Sequence, residues 1–233
     1  MSTAPATTTV PASLPKLYLY DCCPYCTRVR IILGLKDVKH ELIFVANHDE
    51  ATPVNLVGSK QVPIWHAPGE KPIPESLSIV KLIDETYGDN VLLKPFSERE
   101  ELKKWSDASG ELFYKLLLPR VHQAHLPELT LKDARDHFEK KMSARFGNFQ
   151  ELIAQTPELL EKANAFMIEL EPLFASSESI NEEGFGYDDI DFFSRLRNFT
   201  IIKDLVWPQK LRAYVDHVSK QTDIKTLDDL AKF

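Results

Sequence analysis

Asp21-Cys22-Cys23-Pro24-Tyr25-Cys26 holds all three cysteines of the 233-residue chain. The residues before it, Lys16-Leu-Tyr-Leu-Tyr20, predict a strand. Those after it, Thr27-Arg-Val-Arg-Ile-Ile-Leu33, predict a helix that stops at Gly34. Pro24 falls in the first helical turn, where a missing N–H leaves no bond unmade. A Cys-x-x-Cys at a strand-to-helix junction is the arrangement that thiol–disulfide chemistry needs. The unpaired amides and partial positive charge of a helix N-terminus stabilise a thiolate on Cys23. Cys26 follows one turn on, close enough to attack Cys23 as a disulfide forms.

Other readings of the cysteines are weaker. A structural zinc site takes four ligands, commonly as two paired clusters. There is no second Cys-x-x-Cys, and His40, His48 and His66 lack metal-ligand spacing, so no metal is assigned. A stapling disulfide is not needed by a chain long enough to bury its own core, and no cysteine elsewhere could be bridged. Cys22 reads as a small residue ending the strand, because adjacent cysteines form only a strained ring.

The composition, 43% hydrophobic and 27% charged, is that of a globular protein. With 35 acidic against 28 basic side chains the net charge is −7, which argues against nucleic acid or an anionic membrane as partner. No apolar run reaches the length of a membrane span. Residues 1–15 are rich in Thr, Ala and Pro and read as a flexible tail, not a secretory signal. A reactive dithiol without an export signal predicts a cytoplasmic protein.

From Lys16 to about Tyr87 strand and helix signals alternate. Glu41–Val45 predicts a second strand, and Thr52-Pro53 opens a helical turn with threonine as its cap. Val62–Trp65 and Lys71–Ile73 predict a hairpin around Ala67-Pro-Gly69, and Ser76 starts a helix. The order βαβαββα over residues 16–88 predicts an α+β thioredoxin-like sandwich on a mixed four-stranded sheet.

After a linker at 89–98, residues 99–233 predict helices only. Ser97-Glu-Arg-Glu100 reads as a capping box and Thr130-Leu-Lys-Asp133 as a similar start, and Thr156-Pro-Glu158 opens another helix. The stretch from Ile190 to Ile202 is apolar over a wide arc and predicts the buried centre of the bundle.

These residues resemble a known family. Cys23-Pro-Tyr-Cys26 is similar to the dithiol glutaredoxin motif. Gln61-Val-Pro63 and Pro74-Glu-Ser76 are similar to the glutathione-gripping segments of glutaredoxins and glutathione transferases. The helical half is similar to the transferase C-terminal domain. With Leu116–Arg120, Gly147–Phe149, Leu196–Asn198, Trp207-Pro208 and Lys220–Thr222, the chain resembles the glutathione-transferase-like glutaredoxins from Lys16 to about Ile224. It departs from them at Cys22, where a histidine is expected, and at Gly186, where a hydroxyl residue is expected before the central helix.

The resemblance implies a glutathione-dependent thiol–disulfide oxidoreductase. Cys23 would be the nucleophile on protein–glutathione mixed disulfides, with Cys26 resolving protein disulfides. Tyr25, Val62, Pro63, Glu75 and Ser76 would bind glutathione, the co-substrate, with Pro63 after a cis bond and Val62 offering its backbone to the extended tripeptide. Lys60 and Gln61 are candidates for its glycine carboxylate. Partners would be glutathionylated or disulfide-bonded proteins and, through glutathione, glutathione reductase. Arg28 and Arg30 read either as added positive charge or as solvated helix charges. The seven histidines read as surface or packing residues. The competing functions are a glutathione transferase or dehydroascorbate reductase, and a module that binds an iron–sulfur cluster.

Overall fold

The computed structural model describes residues 13–233, so the tail reading lies almost wholly outside the described residues. Seven elements come first: β1 (Lys16–Leu19), α1 (Pro24–Leu35), β2 (Glu41–Phe44), α2 (Ala51–Val57), β3 (Ile64–His66), β4 (Ile73–Pro74) and α3 (Ser76–Thr86). This is the predicted βαβαββα order. The sheet runs β2-β1-β3-β4, with β2 parallel to β1 and the β3–β4 hairpin antiparallel. Leu17 pairs across to Leu42 on one side and Trp65 on the other, while Leu17, Leu19 and Ile64 are fully buried. Burying each such side chain contributes about 2 kcal/mol.

The second half is helical: α4 (Glu100–Gln123), α5 (Lys132–Phe146), α6 (Phe149–Ala154), α7 (Thr156–Leu170), α8 (Tyr187–Phe199) and α9 (Gln209–Thr222). As the apolar arc predicts, α8 is the central helix, with Ile190, Phe193 and Leu196 fully buried. The contact that matters for function is made by α1, which packs on α3 within its own half and on α8 and α9 of the other. One continuous core runs through both halves.

Several predicted helix boundaries are corrected. Gly34 does not stop α1, which continues to Leu35. A Cβ at Gly34 would lie 2.4 Å from the Thr222 carbonyl oxygen, so the glycine serves the close approach of α1 to the end of α9. Thr52 is not a cap; it lies inside α2, where the Asp49 carboxylate accepts its amide at 3.0 Å and its hydroxyl at 2.6 Å. Ser97 forms no capping box, because the residue before α4 is Arg99 and the Ser97 amide goes to Asp188 at 3.0 Å. Thr130 likewise turns its hydroxyl back to the Pro127 carbonyl, at 2.9 Å, instead of capping α5.

The start of α8 follows its prediction with a twist. Asp189 accepts the Gly186 amide at 2.8 Å, which is half of a capping box; glycine has no side chain for the other half. A Cβ at Gly186 would sit 2.6 Å from the Lys94 carbonyl, since the two backbones form a parallel bridge. The hydroxyl residue expected there has no room.

Candidate dithiol site

Cys23 ends the loop after β1 and immediately precedes α1 with an extended backbone (φ −78°, ψ 117°), so its sulfur lies at the N-terminus of that helix. Pro24 occupies the first helical position, and Cys26 lies in the first turn, completely buried. The three cysteines are free thiols. A hydrogen bond from the Cys26 thiol lowers the pKa of Cys23 from the ordinary thiol value, and the Cys26 and Tyr25 amides lower it further, against the opposing effect of burial. Burial raises Cys26 well above that value, and its bond to Cys23 raises it more. One sulfur is therefore prepared as a thiolate and the next as the proton-bearing partner that stabilises it.

The other sequence candidates fall into two groups. Lys60 and Gln61 join Cys23 in a cleft of about 210 Å³ between the halves, walled on the far side by Tyr114, Leu117, His137 and Phe138. Lys60 is committed there to Glu50 at 3.1 Å and to the His137 ring at 3.0 Å. His137 is thus a cleft residue, not the surface or packing histidine expected. Tyr25, Val62, Pro63, Glu75 and Ser76 do not line this cleft. Pro63 follows a cis bond, as expected, and is buried, while Val62 is half-buried.

Tyr25 is half exposed with the Arg28 guanidinium 4.7 Å from its ring centre. Arg28 also donates to the Ser76 hydroxyl at 3.5 Å, which ties Tyr25 and the start of α3 to one edge of α1. Ser76 is the first helical residue rather than the cap. The cap position is held by the exposed Glu75, whose φ of 71° is sparsely populated for a residue with a side chain. Such a conformation costs about 1–3 kcal/mol and clusters at functional positions.

Neither arginine of α1 is a solvated helix charge. Arg28 pairs with Asp191 of α8, and Arg30 pairs with Asp21 at 2.6 Å, all four side chains being about 13–14% exposed.

Sequence reasoning missed the residues that hold the dithiol loop. The Asp21 carbonyl accepts from Arg197 at 2.6 Å, and the Asp21 carboxylate takes two further bonds from Arg197 at 3.0 Å. The Cys22 amide donates to Glu128 at 3.0 Å, and the Cys22 carbonyl accepts from Asn198 at 2.7 Å. All three partners are buried and all belong to the helical half. A signal for two of them was present: Arg197-Asn198 falls within the stretch that predicts the buried centre of the bundle, and strongly polar groups are buried only when paired. Glu128, in a Pro-Glu-Leu turn, carries no such signal.

Among the described residues no group of three metal-ligating side chains could hold an ion, and no helix is long and apolar enough to cross a membrane.

Comparison with known proteins bears on this arrangement. The model of the glutaredoxin 2 C-terminal domain matches residues 101–231, and that of the glutathione S-transferase N-terminal domain matches residues 17–91. Glutaredoxin 2 of Escherichia coli K12 is 36% identical over 216 residues, covering 93% of this chain and 99% of its own. The chain belongs to the glutaredoxin 2 family. A solved structure of that family, glutaredoxin 2 from Salmonella typhimurium in complex with glutathione, is 34% identical and superimposes with a TM-score of 0.89 over 94% of this chain and all of its own. A tau-class glutathione S-transferase from mango shares the fold alone, with a TM-score of 0.54 and 21% identity over 94% of this chain and 96% of its own. This chain thus carries its Cys-Pro-Tyr-Cys run on a glutathione S-transferase N-terminal domain followed by a glutaredoxin 2 C-terminal domain, as the order of motifs implied.

Proposed function

We propose that the chain reduces protein–glutathione mixed disulfides and protein disulfides through Cys23 and Cys26, with glutathione as co-substrate. The Cys23 thiolate attacks the glutathione sulfur of a mixed disulfide. The S–S bond breaks, Cys23 keeps the glutathione, and the substrate cysteine leaves as a thiolate that takes up a proton. A second glutathione thiolate then attacks the held glutathione sulfur, which frees Cys23 and yields oxidised glutathione. With a protein disulfide, Cys23 forms a mixed disulfide with the substrate. Cys26 loses its proton and attacks the Cys23 sulfur, which breaks the bond to the substrate and releases it as the dithiol, and two glutathiones reduce the resulting Cys23–Cys26 bond to yield oxidised glutathione.

The observation that carries this reading is the placement of Cys23 at the N-terminus of α1 with the free, fully buried Cys26 one turn on. The shifts agree with it, Cys23 being lowered and Cys26 raised. Membership of the glutaredoxin 2 family and the glutathione complex of its Salmonella member support glutathione as the reductant. Conjugation by a transferase has no use for a buried second thiol, so that alternative is disfavoured.

We place the glutathione along the edge formed by Tyr25, Val62, Pro63, Glu75 and Ser76, with the Ser76 amide and hydroxyl offered to its γ-glutamyl carboxylate and Glu75 to its ammonium. Lys60 and Gln61 are the candidates for the glycine carboxylate, Lys60 on leaving its contacts with Glu50 and His137. We take residues 16–88 and 99–233 as two domains joined by 89–98. A cytoplasmic setting, where thiols are kept reduced, suits the reaction, with glutathione reductase recycling the product.

The test is reduction of a glutathionylated peptide by the full chain, coupled to glutathione reductase and NADPH. Turnover is expected in the wild type and none above background in Cys23→Ser, since serine is a poor nucleophile toward sulfur. Undiminished turnover in Cys23→Ser would remove the assignment.

A further inference from the structure

The reaction above leaves one buried carboxylate beside the dithiol without a role. Glu128 is fully buried in the Pro127–Leu129 turn, between α4 and α5. One carboxylate oxygen accepts the Cys22 amide at 3.0 Å, and the Glu128 carbonyl accepts the Asn47 amide at 2.9 Å. The turn is thereby fastened to the first half at two points. The other carboxylate oxygen, Oε2, is buried with no hydrogen-bond partner among the described residues. Removing a carboxylate from water without full compensation costs several kcal/mol, so the position calls for an explanation.

We propose that Glu128 is a positioning residue that keeps Cys22 in the thiol form, so that Cys23 alone of two adjacent cysteines serves as nucleophile. The proposal rests on the reading of Cys23 as the attacking sulfur. The helix amides and the Cys26 thiol act on the Cys23 sulfur, so the state of Cys22 is left to its own surroundings, where its amide donates to Glu128. Glu128 adds to the difference, because its buried carboxylate accepts the Cys22 amide at 3.0 Å and so lies against that residue.

Burial, and after it the charge of Glu128, hold the Cys22 thiol well above its ordinary pKa. The same charge opposes the Cys23 thiolate, but there the Cys26 thiol and the helix amides outweigh it. Asp21 adds to the effect on Cys22, although its own charge is shared with Arg30 and Arg197. The remaining titratable neighbours are Tyr20 and Cys26 beside the sulfurs, and Lys60, Tyr114, His137 and Lys141 along the cleft. Glu128 thus explains how a third cysteine is tolerated next to the nucleophile.

The test is alkylation of the reduced full chain with iodoacetamide between about pH 5 and 10, with each cysteine followed by peptide mass mapping. In Glu128→Gln, alkylation of Cys22 near neutral pH should rise about tenfold, the change that accompanies a thiol pKa lower by one. The Cys23 midpoint should move to lower pH, a shift that mere loosening of the loop would not produce. Glu128→Asp, which keeps the charge, should stay near the wild type. An unchanged Cys22 rate in a natively folded Glu128→Gln protein, or identical behaviour of the Asp and Gln variants, would overturn the proposal.

Should Glu128→Gln not fold, the Cys23→Ser/Cys26→Ser protein carries the test with Glu128 intact. Its Cys22 should titrate above the ordinary thiol value of about 8.5, and a midpoint at or below that value overturns the proposal. Alkylation is read without glutathione turnover, so failure of the proposed function and failure of this inference are separate results.

Discussion

The amino-terminal half, from Lys16 to Thr86, carries every cysteine of the chain at one strand–helix junction, whereas the helical half, from Glu100 onward, carries none. Yet the backbone polar groups of Asp21 and Cys22 find their partners in the helical half, on Glu128, Arg197 and Asn198. The first half supplies the reacting atoms and their local acidity. The second supplies the rigidity of the loop that presents them. Reactivity toward sulfur can thus be tuned from residues more than a hundred positions away, without touching the motif itself.

Changes in the first half should alter chemistry outright. Cys26→Ala should abolish reduction of protein disulfides and, by removing the bond that lowers the Cys23 pKa most, raise the midpoint for Cys23 alkylation. The sign follows from the thiolate losing its donor. At neutral pH the thiolate fraction should fall roughly tenfold for each unit of the rise, and a midpoint that stays put or falls would contradict the assignment of Cys26 as donor.

Apart from the charge of Glu128, changes at the anchors and at the seam between the halves should instead act through stability. Arg197→Met removes three bonds to Asp21 and leaves that carboxylate with Arg30. Breaking a buried pair from one side costs about 3–5 kcal/mol, and the surviving Arg30 contact should put this case near about 3 kcal/mol in urea denaturation. Gly34→Ala tests the seam itself. Its new methyl meets the Thr222 backbone, which no side-chain rotation can relieve, so a loss of about 2 kcal/mol is expected. Asn198→Ala gives the smallest effect. It orphans the Cys22 carbonyl at a cost of about 1 kcal/mol, with slower turnover but an intact Cys23 titration. If Asn198→Ala shifted the Cys23 midpoint as far as Cys26→Ala does, the division between the halves would fail.

The same division explains what could be read from the residues. The sandwich was legible because its signals are local: a Cys-x-x-Cys after an apolar strand, an X-Pro before a hairpin, and a serine at a helix start. The central helix was legible from the breadth of its apolar arc. Gly34 misled because a glycine at the end of an apolar run has two physical uses, stopping a helix and admitting a neighbour, and only packing distinguishes them. Ser97 and Thr130 misled for a related reason: a hydroxyl or amide that fits a capping pattern can be claimed by another partner, the distant Asp188 for the Ser97 amide and the preceding Pro127 carbonyl for the Thr130 hydroxyl. Glu128 was invisible because its meaning lies wholly in contacts 106 residues distant in sequence, from a turn whose composition is ordinary.

The reach of those contacts has a consequence for the birth of the protein. The Cys22 amide is separated from Glu128 by 106 residues and the Cys22 carbonyl from Asn198 by 176. A ribosome adding about 5–20 residues per second needs on the order of 5–35 s to cover those intervals. For that time the nascent chain displays three closely spaced cysteines on a loop whose anchors have not yet been translated, beside a neighbouring sulfur that nothing yet holds in check.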